Sequence, residues 1–216
     1  MTIYQQLFDR YGAQHWWPAE TPFEVMVGAV LTQNTAWSNV ERAIENLKAL
    51  NGLSLESLLA MPSEVLSAQI RPAGYFNIKT KRLLSLCRYL QRNSGLEQLD
   101  TDKLRSRLLS VHGIGPETAD DILLYAFDRP VFVIDAYTRR LFGRLGLIAH
   151  DCGYESLRAG FETALQSNSS LFNEYHALIV VHAKAHCRIK PVCVSCPLSE
   201  SCTYWVDQLA SGISAV

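Results

Sequence analysis

Four cysteines crowd into sixteen residues near the end of the 216-residue chain: Cys187, Cys193, Cys196 and Cys202, spaced Cys-x5-Cys-x2-Cys-x5-Cys. The other two, Cys87 and Cys152, stand alone. The N-terminus mixes polar and charged residues too early for a secretory signal, so this tight cluster points to metal or iron–sulfur ligation rather than disulfides. A structural zinc site would use the same four thiolates. Zinc modules pair two close cysteine couples, however, and here only the central pair is close. Four thiolates over one short loop suit a cubane iron–sulfur cluster, and the spacing favours it.

A second constellation lies mid-chain. Val111-His112-Gly113-Ile114-Gly115 separates two helical segments, and Pro116-Glu117-Thr118-Ala119 opens the second. Two glycines around one apolar residue let the backbone turn sharply and expose consecutive N–H groups. With the following helix N-terminus these make a phosphate site that needs no cationic side chain. His112, Gly113, Ile114, Gly115 and Thr118 are its candidate residues, although a bare Gly-x-Gly turn also serves as a plain helix corner. Eighteen positions after Glu117 stands Asp135, which reads as a helix N-cap, a reacting carboxylate, or both. Trp16 and Trp17 precede the segment holding Gln33 and Trp37 follows it, so three of the four tryptophans bracket one helix. Singly, each reads as core packing.

Helices must position all of these groups. Thr21-Pro22-Phe23-Glu24 is a capping box opening a helix that runs towards Thr35, and Ser38-Asn39-Val40-Glu41 is a second box. Asn77 and Thr101 are expected to cap helices ending near Arg92 and Ser110, with further helices at 116–127, 135–145, 154–165 and 171–186. Residues 131–134 are the only run of strand character, so the chain reads as all-α. Hydrophobic residues make up 48% of it, enough for one large or two small packed domains, and no apolar stretch reaches spanning length. The net charge is −1, yet positions 71–144 hold thirteen Lys and Arg against eight Asp and Glu. A local basic face of this kind is compatible with nucleic-acid binding.

Residues 109–120 resemble the helix-hairpin-helix of the endonuclease III (HhH-GPD) superfamily of DNA glycosylases, and Asp135 follows at that family's spacing for the catalytic aspartate. The resemblance implies two helical domains flanking a DNA-binding cleft. Residues 20–129 would form a helical barrel ending after the hairpin. Residues 1–19 and 130–216 would form the domain carrying Asp135, at the cleft mouth, and the cluster. The implied activity is base excision repair on double-stranded DNA, hydrolysing the N-glycosidic bond of a flipped, damaged base. Cleavage builds oxocarbenium character on the sugar, which a carboxylate stabilises while helping to deprotonate water.

Ala29-Val30-Leu31-Thr32-Gln33-Asn34-Thr35 is similar to the family segment whose glutamine enters the duplex beside the flipped nucleotide. Trp16, Trp17 and Trp37 resemble the aromatic pocket of the 3-methyladenine branch, which would hold a cationic alkylpurine by cation–π attraction. Cys187, Cys193, Cys196 and Cys202 resemble the family's 4Fe–4S loop, whose commonest first gap is six residues where this one is five. A monovalent cation on the carbonyls of Leu109, Val111 and Ile114 is also implied. Members that nick DNA carry a lysine where Glu117 stands. The resemblance thus implies a monofunctional glycosylase without lyase chemistry. Two other readings stay open: a glycosylase for a mispaired or oxidised base, and a non-catalytic DNA-binding iron–sulfur protein. The protein is expected to be cytoplasmic (nucleoid-associated in a bacterium), monomeric and free of membranes.

Overall fold

The computed structural model describes residues 2–211. Among these the chain is helical, with no strand. The helices are α1 (Ile3–Tyr11), α2 (Pro22–Leu31), α3 (Trp37–Ala49), α4 (Leu55–Ala60), α5 (Ser63–Gln69), α6 (Phe76–Arg92), α7 (Thr101–Leu109), α8 (Pro116–Asp121), α9 (Ala136–Arg144), α10 (Tyr154–Leu165), α11 (Ser169–Ala185) and α12 (Thr203–Ala210). They fall into two compact units. One is Trp17–Arg129; the other comprises the sequence before it and the sequence from Pro130 on.

Local chemistry explains most helix starts. Thr21 Oγ1 accepts from the Glu24 amide at 3.1 Å with Pro22 at the first position, but the Glu24 carboxylate takes the Glu20 amide at 3.1 Å instead of closing the box on Thr21, and α2 ends at Leu31 rather than near Thr35. The second box does not form. Trp37 Nε1 takes Glu41 Oε1 at 2.7 Å, and α3 begins at Trp37 behind Ala36, which offers no side-chain cap. Asn77 lies inside α6, behind Tyr75 in a left-handed conformation (φ 45°). Asp100, not Thr101, caps α7: its Oδ1 accepts from the Lys103 amide at 2.9 Å. The helix expected over 116–127 changes character after Asp121, becoming a π-helical turn over Ile122–Ala126. Asn168 caps α11, which therefore starts at Ser169, before the expected position 171.

In the Trp17–Arg129 unit, α2 is buried almost all round from Val25 to Leu31 and packs on α3, α6 and α8. Burying each such side chain contributes roughly 1.5–3 kcal/mol. The other unit is built on stacked rings. Phe132 lies 4.4 Å from Phe161 and 5.4 Å from Phe172, and Phe142 of α9 meets Tyr175 of α11 at 6.2 Å. The strand-like run 131–134 is an extended, fully buried segment whose Phe132 amide is satisfied by Glu162 Oε1 at 3.0 Å.

Candidate active site and cysteine loop

The hairpin between α7 and α8 is locked from below. Arg105 Nε and Nη2 grip Asp120 at 2.6 and 3.1 Å, and the Asp120 side chain is fully buried. Breaking so buried a pair would cost about 3–5 kcal/mol. Above it, Ile114 N donates to Val111 O at 3.0 Å, so that carbonyl already serves the turn. Gly113 has φ 89°, which glycine alone adopts without strain, whereas Gly115 is extended and caps α8 with Pro116 at its first position. Only one of the two glycines is therefore demanded by backbone conformation. His112 and Gly115 are exposed, as a phosphate-binding turn requires; Ile114 and Thr118 are buried.

Gln33 sits in the turn after α2, and its side chain is engaged with the hairpin. Nε2 donates to Thr118 Oγ1 at 2.8 Å and Gly113 O at 3.0 Å, while Arg82 of α6 donates to Oε1. Thr118, expected at the DNA surface, thus uses its hydroxyl inward. One turn earlier on α6, Lys79 is 1% exposed. Its Nζ donates to Leu31 O (2.7 Å), Ala73 O (2.9 Å) and Thr35 Oγ1 (2.5 Å), stitching the end of α2 to its neighbours. Burial, helped by the charge of Arg82, pushes its ammonium down to about 8.

Of the tryptophans expected at one pocket, Trp17 and Trp37 lie in the same unit. Trp17 packs edge-on against Trp37 at 5.0 Å and lies 4.9 Å from Tyr125, and all three are half-buried. A Cβ on Gly28 would stand 3.2 Å from Trp17 Cζ2, so this glycine lets the indole lie close on α2. Trp16 belongs to the other unit, where Lys184 Nζ stands 5.7 Å from its ring centre. Sequence periodicity missed Tyr125 because it lies in the π-helical turn, where a 3.6-residue repeat does not apply.

Asp135 is the N-cap of α9: Oδ1 accepts from the Thr138 amide at 2.7 Å. Oδ2 lies 3.5 Å from Nε2 of His176, a buried residue of α11. Burial works to raise the Asp135 carboxyl, but His176 and Thr138 outweigh it and hold the group below the ordinary carboxylate range. The carboxylate is therefore ionised, with one oxygen fixed by the helix and the other facing an imidazole. Sequence reading missed His176, which sits on an apolar stretch of α11 with nothing in its spacing to separate it from a core histidine.

All four clustered cysteines line one small pocket, partly open to solvent, with Leu141, Leu145, Val192 and Leu198 among its walls. Arg140 Nε donates to Cys187 O at 2.7 Å, and Arg144 reaches Cys187 Sγ at 3.4 Å and Ile189 O at 2.9 Å. Burial pushes the Cys196 thiol up to about 11 and raises Cys193 as well. His182, pushed down to about 4 by burial and His186, lies with Nε2 3.7 Å from Cys196 Sγ. Among the described residues, no three His, Cys, Asp or Glu side chains converge as one metal ion requires. Four thiols lining one pocket are the donor set that a cubane would take, one thiolate to each iron.

Residues 27–167 match the HhH-GPD superfamily of base excision DNA repair proteins. The chain belongs to this superfamily. The match takes in Gln33, the hairpin and Asp135, and ends before the cysteine loop. Across 93% of its length the HhH-GPD chain is 50% identical to a Methanocaldococcus jannaschii protein named as a candidate DNA repair glycosylase, covering 94% of that protein. It is 28% identical to endonuclease III of Sulfolobus acidocaldarius over 87% of this chain and 84% of the relative. Among solved structures, the 3-methyladenine DNA glycosylase of H. pylori bound to 1,N6-ethenoadenine superposes with a TM-score of 0.74. That likeness has 31% identity and covers 85% of this chain and 96% of the other. A non-covalent endonuclease III–DNA complex gives a TM-score of 0.79 at 21% identity, covering 97% and 100% of the two chains, a likeness of fold.

Proposed function

We propose that this HhH-GPD protein is a monofunctional DNA glycosylase that hydrolyses the N-glycosidic bond of an alkylated purine such as 3-methyladenine in duplex DNA. The observation that carries the reading is Asp135, ionised, anchored by Thr138 and at the family's spacing from the hairpin. The exposed hairpin amides bind the phosphate backbone and fix the register of the duplex. Asp135 stabilises positive charge growing on the sugar and takes a proton from the attacking water. An alkylated purine already carries ring charge and leaves readily, so no strong general acid is needed. Half-buried Trp17, Trp37 and Tyr125 offer aromatic faces to such a base. The identity to the H. pylori 3-methyladenine enzyme supports this substrate class.

Glu117 is exposed at the position of the lyase lysine and forms no imine, and Lys79 is too buried and too fully engaged to replace it. Cys187, Cys193, Cys196 and Cys202 would hold a 4Fe–4S cluster, which when bound cross-links the loop and supplies a redox-active centre. The exposed Gly115 amide and its neighbours make the DNA contact, and a monovalent cation on the hairpin carbonyls would add to it.

A panel of duplexes, each with one lesion, tests the reading by free-base release with and without alkali. Release of 3-methyladenine, strand scission only after alkali and no borohydride-trapped adduct are expected. Asp135→Asn should bind DNA normally and lose about two to three decades in rate. Full rate in that variant would refute the catalytic assignment.

A further inference from the structure

Asp135 has one oxygen committed and one free, and the free one faces a single side chain. Oδ1 is held by the Thr138 amide at 2.7 Å, which fixes the carboxylate on the end of α9. Oδ2 points at His176 Nε2, 3.5 Å away, from the neighbouring helix α11. The distance between these helices is itself set by packing. Phe142 of α9 meets Tyr175 of α11, and Tyr175 also contacts Tyr4 at 5.3 Å and Phe132 at 6.0 Å. His176 thus follows directly on a residue wedged among three rings. Both side chains of the pair are largely withdrawn from water, 7% and 12% exposed. In that setting an N–H donor is worth more than at the surface, and a misdirected carboxylate is not readily corrected by solvent.

We propose that His176 is a positioning residue for Asp135, donating from Nε2–H to Oδ2 so that the carboxylate is both aimed and kept ionised. The inference rests on Asp135 being the reacting carboxylate of a glycosylase. A proton on Nε2 suits the task, because it points the N–H at Oδ2 across the gap between the two helices. At 3.5 Å the contact is longer than a charge-assisted hydrogen bond of about 2.7–2.9 Å, and such contacts shorten when substrate closes the site. The other groups acting on Asp135 are the amide and side chain of Thr138 on α9 itself. On α11, Tyr175 is raised by burial and stays neutral. α12 also packs on α9, and there Arg144 is engaged with Tyr204 at 5.0 Å.

The test uses full-length wild type, Asp135→Asn, His176→Leu and His176→Gln, with thermal unfolding to confirm folding. Carboxyl-carbon NMR, assigned by Asp135→Asn, follows the titration of Asp135 directly and needs no activity. Single-turnover release of 3-methyladenine across pH follows the chemistry. In His176→Leu the Asp135 midpoint should rise by roughly one pH unit. Its acid limb of rate should follow, with about a ten- to hundredfold loss on the plateau. His176→Gln, which keeps an N–H donor, should recover much of both. A wild-type midpoint in His176→Leu, or a folded His176→Gln as impaired as His176→Leu, would overturn the proposal. Absence of base release by wild type, or full rate in Asp135→Asn, would instead strike the glycosylase reading, and the NMR titration would still decide the role of His176.

Discussion

The aliphatic stem of Arg82 fills the space that a Cβ on Gly113 would occupy, and its guanidinium donates to Gln33 beside the same residue. Gly113→Ala must displace that stem and hold φ near 89°, so a destabilisation of roughly 1–3 kcal/mol is expected. Gly115 differs: its φ is −93° and a Cβ there meets nothing within 4 Å. Gly115→Ala should leave stability within about 0.5 kcal/mol of wild type, any loss being confined to DNA affinity. The sequence reading assigned the sharp turn to both glycines; only Gly113 requires it. Urea unfolding and fluorescence anisotropy on abasic-site DNA separate the two effects, and equal destabilisation by both substitutions would contradict this account.

Removing the Gln33 amide deprives Thr118 and the Gly113 carbonyl of a donor and Arg82 of an acceptor. Gln33→Ala should therefore lower stability by about 1–3 kcal/mol even without DNA. A glutamine serving only as a duplex filler would leave the free protein unchanged, so the melting temperature of DNA-free protein decides.

Lys79 ties stability to pH in an unusual direction. Its folded value of about 8 lies below the ordinary 10.5, so the unfolded chain holds more protons between those limits. Stability conferred through this residue should rise as pH climbs across that window. Lys79→Met loses this dependence, and it also leaves Leu31 O without its lysine donor, while Ala73 O keeps only the Thr35 hydroxyl. Denaturant unfolding of both proteins at each end of the window should show wild type gaining on the variant towards high pH. A constant difference would exclude a depressed lysine.

The contacts of Trp17 with Trp37 and Tyr125 give a selective test of base recognition. Trp17→Ala and Tyr125→Ala should slow release of cationic 3-methyladenine more than that of a neutral lesion, by roughly two- to thirtyfold. Trp16→Ala, whose indole lies under Lys184, should not discriminate between them. Equal loss on both lesions would remove the aromatic trio from substrate choice.

Purified protein should be yellow-brown, with iron and inorganic sulfide in equal amounts, and Cys196→Ser should lose both. Stoichiometric zinc without sulfide would replace the cluster by a different metal site. Release of Arg140 and Arg144 from the loop carbonyls should follow cluster loss, and limited proteolysis near Ile189 would report it.

Helix type and the candidate carboxylate were legible because short-range chemistry writes them. Thr21 and Asp135 cap the helices they precede, and the helix predicted over 154–165 forms as Tyr154–Leu165. Where side chains had two local options the outcome was not legible. Glu41 closes onto Trp37 instead of completing a box with Ser38, and Asp100 precedes Thr101 as cap. Long-range partners left no periodic trace at all. Arg82 to Gln33 spans 49 positions and His176 approaches Asp135 from another helix. Only packing of whole helices brings such pairs together.

The π-helical turn at Ile122–Ala126 makes the length of this segment as informative as its composition. Each residue of an α-helix turns the chain by about 100°. Deleting one residue between Ile122 and Leu124 would turn Tyr125 by about 100° relative to the preceding helix, away from Trp17. A chain one residue shorter in this stretch would then present a differently shaped aromatic surface beside an unchanged hairpin, so that a one-residue deletion would separate the proposed base pocket from the proposed phosphate site.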